Sequence, residues 1–565
     1  MKWRITSAIL LATCFGMLLS GDRSAATEEA SLARLAPPGA LLYLEAKDFS
    51  SLLARWNGSQ EKTAWLRSDN YSVFSQSRLF LRLKDAGDQF ATAAGIPPDM
   101  KFVSQVTGSQ SAVALYDIGK LEFLYITRLG AGRAEPALLA ETRSKFDTRN
   151  AAGQSFYVRK DPESGREVAF ATSGEYLLLA TREDLLAHSL ELLAGSKAPA
   201  MLGETWFADA VAAAGRPGDL RLVLNLETIV PSPYFRTYWI QRNITDTSAY
   251  RAAVSDMFLA SAEYREERVL LKKEESDAAP ASASAAVAEL ARFVPGDAGA
   301  YQITATPSVD ATLALLETKL LAPHSGPGVA SQLAPKVQLS SGDAGGGGDM
   351  ETRIDQTPLE IRAQSSPSAS LKALLAENPV QASLNLQSTE LDRDNVFVRI
   401  HTIVALTGAS DWNDSAVRAA IAEFAGPELT TSGLGAAWQK KSGHLELDGL
   451  WTLAAAVRGK HLFLSDDPGM LEAALSGAQP PSAAAPGKFI AAFQHAAERD
   501  RFARLTKVLD GRSGAQSQPG GRTPDFFSGN IAGLSRVLSR LSSERIVVRD
   551  AGGKVLQTVT YEWGK

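Results

Sequence analysis

The chain has 565 residues, more than one compact core accommodates, so about two to four domains are expected. Its 58 Lys and Arg stand against 63 Asp and Glu, a formal net charge of -5, which leaves no broad basic surface for a nucleic-acid partner. With 45% hydrophobic residues it can bury substantial cores.

Lys2 and Arg4 precede an uncharged stretch from Ile5 to Gly21, and small residues follow at Ser24 and Ala26. This is the layout of a secretory signal peptide over residues 1–26, and it implies export to the periplasm or the extracellular space. The one cysteine, Cys14, lies inside this segment. Contact with a membrane is therefore confined to an N-terminal anchor or to lipidation at Cys14, where Thr13 departs from the small residue that a lipobox wants.

Next comes "PPGALLYLEAKDFSSLLARW", read as a Pro-Gly turn, a strand through Tyr43 and a helix that starts at Asp48. "SAVALYDIGKLEFLYITRL" reads as a hairpin turning at Asp117 to Lys120. "GEYLLLATREDLLAHSLELLAG", starting at Gly174, reads as strand, cap and helix, with Thr181 and Asp184 at capping-box spacing. From Tyr250 to Lys273 the pattern suggests a helix followed by an alternating strand. Residues 277–288 have the Ala, Ser and Pro composition of a linker.

Beyond that linker the first half is echoed. "VPGDAGAYQITATPSVDATLALLETKL" repeats the opening strand and helix, with Ser308 in the place of Asp48. Gly459 to Leu475 repeats Gly174 to Leu190 without a gap, matching Leu177, Leu179, Leu186 and Leu190 with Leu462, Leu464, Leu471 and Leu475. There Asp467 before Pro468 supplies the cap. The apolar positions agree and the polar ones do not, which is the signature of a shared scaffold. A Gly-rich insertion at about 338–350 accounts for extra length in the second half, and a hairpin through Asp550 to Gly553 ends it. The fold class is α+β: two related halves, 27–276 and 289–565, each a mainly antiparallel sheet covered by helices.

Chemistry is sparse. The six histidines (His188, His324, His401, His444, His461 and His495) have no metal-ligand spacing, so neither a metal nor a cofactor is expected. Ser59 and Lys62 form Ser-x-x-Lys, and Ser68-Asp69-Asn70 follows almost at once, but the Lys-Thr-Gly strand of serine β-lactamases is missing. Asp343 and Asp349 in the Gly-rich insertion, Asp392 to Asn395 and Asp411 to Asp414 lack the rest of a calcium loop. The last of these reads as the cap of a helix, through Asp414 or Ser415.

One segment has the composition of a recognition surface. "PSPYFRTYWIQRN" gathers Tyr234, Phe235, Arg236, Tyr238, Trp239 and Arg242, residue types that dominate interface energetics. An aromatic plug between sheet and helix is the other reading. "PDFFSGN", Pro524 to Asn530, is a lesser candidate.

With these features together, the chain resembles a group of exported bacterial proteins classed as a domain of unknown function, the 3352 type. That resemblance implies an envelope location and supplies no catalytic residues. The expected function is a non-enzymatic protein that binds or scaffolds an envelope protein or ligand through a groove between its halves. The alternative is a hydrolase-like envelope enzyme whose site is assembled from residues far apart in sequence.

Overall fold

A computed structural model describes residues 30–67, 71, 74–97, 99–129, 137–233, 247–260, 262–274, 281–321, 369–391, 398–430, 437–477, 487–501 and 541–563. The signal-peptide segment, Ser68 to Asn70, Tyr234 to Asn243, His324, the Gly-rich insertion, Asp392 to Asn395 and Pro524 to Asn530 lie outside them.

The first half contributes ten strands: β1 (Leu42–Ala46), β2 (Ser111–Asp117), β3 (Glu122–Arg128), β4 (Asp147–Ala151), β5 (Gln154–Lys160), β6 (Glu167–Ser173), β7 (Tyr176–Ala180), β8 (Leu220–Leu224), β9 (Tyr250–Leu259) and β10 (Glu263–Lys272). They pair antiparallel in the order 4-5-6-7-3-2-1-8-9-10. The second half contributes β11 (Ala300–Ala305), β12 (Val380–Leu391), β13 (Val398–Gly408), β14 (Trp438–Lys440), β15 (Leu445–Asp448), β16 (Thr452–Arg458), β17 (His461–Ser465), β18 (Phe489–Phe493), β19 (Leu541–Asp550) and β20 (Lys554–Trp563). Their order is 14-15-16-17-13-12-11-18-19-20. Each strand of one half has its counterpart at the same place in the other.

The halves do not form two sheets. β10 pairs with β20, its own counterpart, making one sheet of 20 strands. Glu267, fifth residue of β10, faces Thr558, fifth residue of β20. Arg265, the third, faces Thr560, the seventh. A half-turn about the Glu267–Thr558 pair therefore exchanges the two strands, and the sheet has an internal pseudo-two-fold axis at its centre. The groove expected between separate halves is replaced by a continuous strand seam.

Helices cover both faces. On one face, α6 (Glu183–Leu193) and α7 (Thr205–Ala213) bury Leu186, Leu190 and Phe207 against Tyr43, Ile126 and Val254. On that same face in the second half, α9 (Ala281–Ala291) and α13 (Pro468–Ser476) cover Ile303, Leu384 and Phe463. On the opposite face, α3 (Arg78–Ala94), α4 (Met100–Val106) and α5 (Ala137–Thr142) cover Tyr125, Phe170 and Leu179. In the second half α10 (Val309–Leu316), α11 (Ala369–Glu377) and α12 (Asp414–Leu429) cover Val404, Leu406 and Leu464 there.

The repeated phrase is a scaffold joint. Gly174 and Gly459 both adopt φ of 58°, a left-handed conformation that only glycine takes without strain. β7 and β17 follow, and α6 and α13 begin at corresponding residues, Glu183 and Pro468. Asp467 caps α13 by accepting from Met470 N at 2.8 Å. The capping box expected at Thr181 is not formed. Arg182 is the N-cap, and the Thr181 hydroxyl instead accepts the Phe123 amide at 2.8 Å, because the residue after β7 still lies beside β3.

Asp48 and Ser308 cap α1 (Phe49–Asn57) and α10 as expected. The cap of α12 is Asn413 rather than Asp414 or Ser415, its carboxamide oxygen accepting from both Ser415 N and Ala416 N. Tyr250 to Leu259 is strand, not helix: β8 and β10 pair with it on either side, and that pairing overrides an ambiguous local pattern. From Ala281 on, the stretch expected as linker is helix α9, with Ala283, Val287 and Leu290 fully buried.

Candidate functional site

The centre of the sheet is where the sequence is least ordinary. "EYREERV" places charged residues on a strand flanked by strands on both sides, so Glu266 is fully buried. A buried carboxylate requires compensating donors. Arg268, two residues along and on the same face, gives it a two-pronged contact, with Nε and Nη2 each at 2.5 Å. Ser255, on β9, donates a third hydrogen bond to it. The remaining Arg268 nitrogen, Nη1, reaches Gln557 Oε1 of the other half at 3.5 Å.

Beside this network, towards one end of the seam, the Tyr264 and Tyr561 rings meet across it, 5.5 Å apart and tilted by 35°. Burial, reinforced by the Glu266 charge, pushes the Tyr264 phenol up; burial and then the Glu544 charge do the same to Tyr561. Both remain protonated donors at neutral pH. The Tyr264 hydroxyl is buried and, among the described residues, has no hydrogen-bond partner. Glu544 in turn lies 3.5 Å from His495, whose ring packs edge-on against Phe493 at 4.7 Å. Further along this face Glu498, almost fully buried, accepts from Thr389.

At one end of the seam Asp550 accepts from Lys272 at 2.7 Å and from Lys488 at 2.9 Å, tying β10 to β19 and to the residue that precedes β18. Burial opposes its charge, but the two lysines outweigh burial and hold its carboxyl below the ordinary value.

The sequence-predicted residues Tyr234, Phe235, Arg236, Tyr238, Trp239 and Arg242 fall outside the described residues. The ends of their connection lie among the described residues. It leaves β8 through α8 (Leu226–Ile229), which packs against Leu224 and Ala253 on the Glu266 face, and it returns as β9. The corresponding connection of the second half runs from β18 to β19 and contains Phe526 and Phe527. The two aromatic candidates, which look unrelated in sequence, thus belong to equivalent connections on either side of the axis. Sequence reading missed this because the equivalence rests on strand order.

The remaining motifs have structural roles. Ser59 is the N-cap of α2 (Gln60–Leu66), accepting from Lys62 N at 3.0 Å, while Lys62 Nζ donates to Asn57 at 2.6 Å. His188 contacts the Pro199 carbonyl. His401 lies 3.2 Å from both Glu390 and Asp467. It occupies the place of Glu122, which pairs at 3.2 Å with Arg182, the counterpart of Asp467, so this pair has reversed its polarity between the halves. His444 contacts Glu446 at 2.9 Å where the first half buries Phe156. His461 bonds Thr407 at 3.0 Å, and burial pushes its imidazole down. Among the described residues no three such side chains converge as a metal site.

No protein-family model matches the chain, and no curated protein does. Among solved structures it is similar to crystal forms I, IV and III of TP0453. Form I is 13% identical, covering 44% of this chain and 81% of that one, with a TM-score of 0.22. Form IV is 13% identical, covering 43% and 81%, and form III is 12% identical, covering 44% and 83%; both have TM-scores of 0.23. Scores this low carry no argument about function.

Proposed function

We propose that the chain is an exported, non-enzymatic binding protein of the bacterial cell envelope, which engages an envelope protein or ligand over the central strands where its halves meet. The observation that carries this reading is the strand order. Through it the two aromatic-rich stretches of sequence belong to equivalent connections, β8–β9 and β18–β19, whose flanking strands lie on either side of the axis. Binding surfaces concentrate aromatic and Arg side chains of this kind. At the seam itself the polar groups support binding rather than catalysis, because Ser255 and Arg268 together give Glu266 three hydrogen bonds and burial keeps the protons on Tyr264 and Tyr561.

The test is site-specific photo-crosslinking in the native envelope. A photoreactive residue replaces Trp239, Phe526 or, as a control, exposed Thr92 of α3. The expected result is one adduct common to positions 239 and 526 and missing at 92. Adducts equally strong at position 92, or different species at 239 and 526, would refute the shared surface.

A further inference from the structure

The seam pairs two equivalent strands, one from each half, about a two-fold register. Nine residues of β10, Glu263 to Leu271, pair with nine of β20, Lys554 to Glu562, and the register is symmetric about Glu267 and Thr558. Two copies of one strand that pair antiparallel about a common central residue make the contact found in symmetric dimers. The contacts that reinforce the pairing all join one half to the other: Lys272 to Asp550 at 2.7 Å, Arg268 to Gln557 at 3.5 Å, and the Lys554 ammonium to the Ala213 carbonyl at 3.0 Å.

We infer that this seam is a self-complementary interface that accepts a second copy of the chain, β10 of one copy pairing with β20 of the other and the reverse. Every seam contact recurs unchanged in such an exchanged pair, because each is a contact between a first half and a second half. Backbone ladder bonds, which supply most of the pairing, do not distinguish a strand of the same chain from that of another. Selection between the closed monomer and the exchanged dimer therefore rests on concentration. Because both halves belong to one chain, β20 meets β10 at an effective concentration of order millimolar, and free chains compete as they approach it.

The experiment uses the full chain carrying Cys14→Ser, so that no other thiol is present. One tagged copy carries Glu267→Cys and a differently tagged copy carries Thr558→Cys. The two are unfolded together, refolded at increasing concentration, oxidised and separated without reductant. The expected result is a mixed disulfide whose yield rises several-fold with concentration, and which far exceeds that formed when the copies are mixed already folded. A single chain with both substitutions must cross-link to itself, since directly opposed strand residues meet disulfide spacing; failure there overturns the register on which the inference rests. No mixed disulfide after joint refolding, with the internal one formed, overturns the exchange. Equal yield from a control pair that carries Thr92→Cys in place of Thr558→Cys reduces the product to random oxidation and overturns it as well.

Discussion

Replacing Arg221 and Asp256 together by Ile and Val should leave the protein about as stable as it is now, while either replacement alone should be severely destabilising. The pair is buried, with side chains 10% and 3% exposed. Arg221 Nε and Nη2 contact the two carboxylate oxygens at 2.7 Å each, and Asp256 also accepts the Gly218 amide at 3.0 Å. Asp256→Val alone strands a buried guanidinium and that amide, at a cost of about 3–5 kcal/mol; Arg221→Ile alone strands the carboxylate at a similar cost. The double replacement removes both charges and leaves only the Gly218 amide without its acceptor. Its outcome is already on display in the molecule: Arg221 faces Asp256 across β8 and β9, and at the same register of β18 and β19 Ile490 faces Val547. Apolar substitution of a buried ion pair is often neutral or stabilising. In urea titrations followed by tryptophan fluorescence, each single variant should lose roughly 1.5–2.5 M in midpoint at an m-value of about 2 kcal/mol/M, and the double variant less than about 0.5 M. A double variant that loses the sum of the two singles would refute the claim that the halves are interchangeable here.

Three further outcomes are expected. Burial raises the phenols of Tyr43, Tyr116, Tyr125, Tyr264 and Tyr561. A group whose folded value lies above its unfolded one stabilises fully below the unfolded value, about 10, and that stability is lost as pH rises beyond it; absorbance at 295 nm should show these five ionising only with loss of circular dichroism, and free titration before unfolding would contradict their burial. Asp550 is held below its ordinary value, so its contribution is complete above about pH 4 and declines as pH falls through the folded value. Asp550→Asn should already lack that contribution at neutral pH, seen as faster hydrogen exchange in β10 and β19, and should show a flatter loss of stability on acidification. Finally, Ser59→Ala should cost about 1 kcal/mol as the loss of a helix cap and Lys62→Ala much less, with no change in crosslinking at Trp239; equal losses from both would call for a joint role that the cap geometry does not supply.

What the sequence alone determined is local. Its Gly174 and Gly459, each forced to positive φ, and its caps at Asp48, Ser308 and Asp467 act within a few residues, so the repeated strand-to-helix joint and the α+β class are legible from composition and spacing. So was the terminal hairpin, whose turn carries its own glycines. Tertiary structure decided which strands became neighbours. Ladder bonds join backbone groups common to all residues, and nothing in "EYREERV" or "KVLQTVTYEW" names the other as partner, yet their pairing turns two halves into one sheet with an axis at Glu267 and Thr558. The same long-range pairing made a strand of Tyr250 to Leu259, buried Glu266 between Ser255 and Arg268, and brought two unlike aromatic stretches to equivalent connections. Side-chain sequence sets the conformation of each piece, but burial and strand partnership depend on residues hundreds of positions away, and only the assembled sheet supplies them.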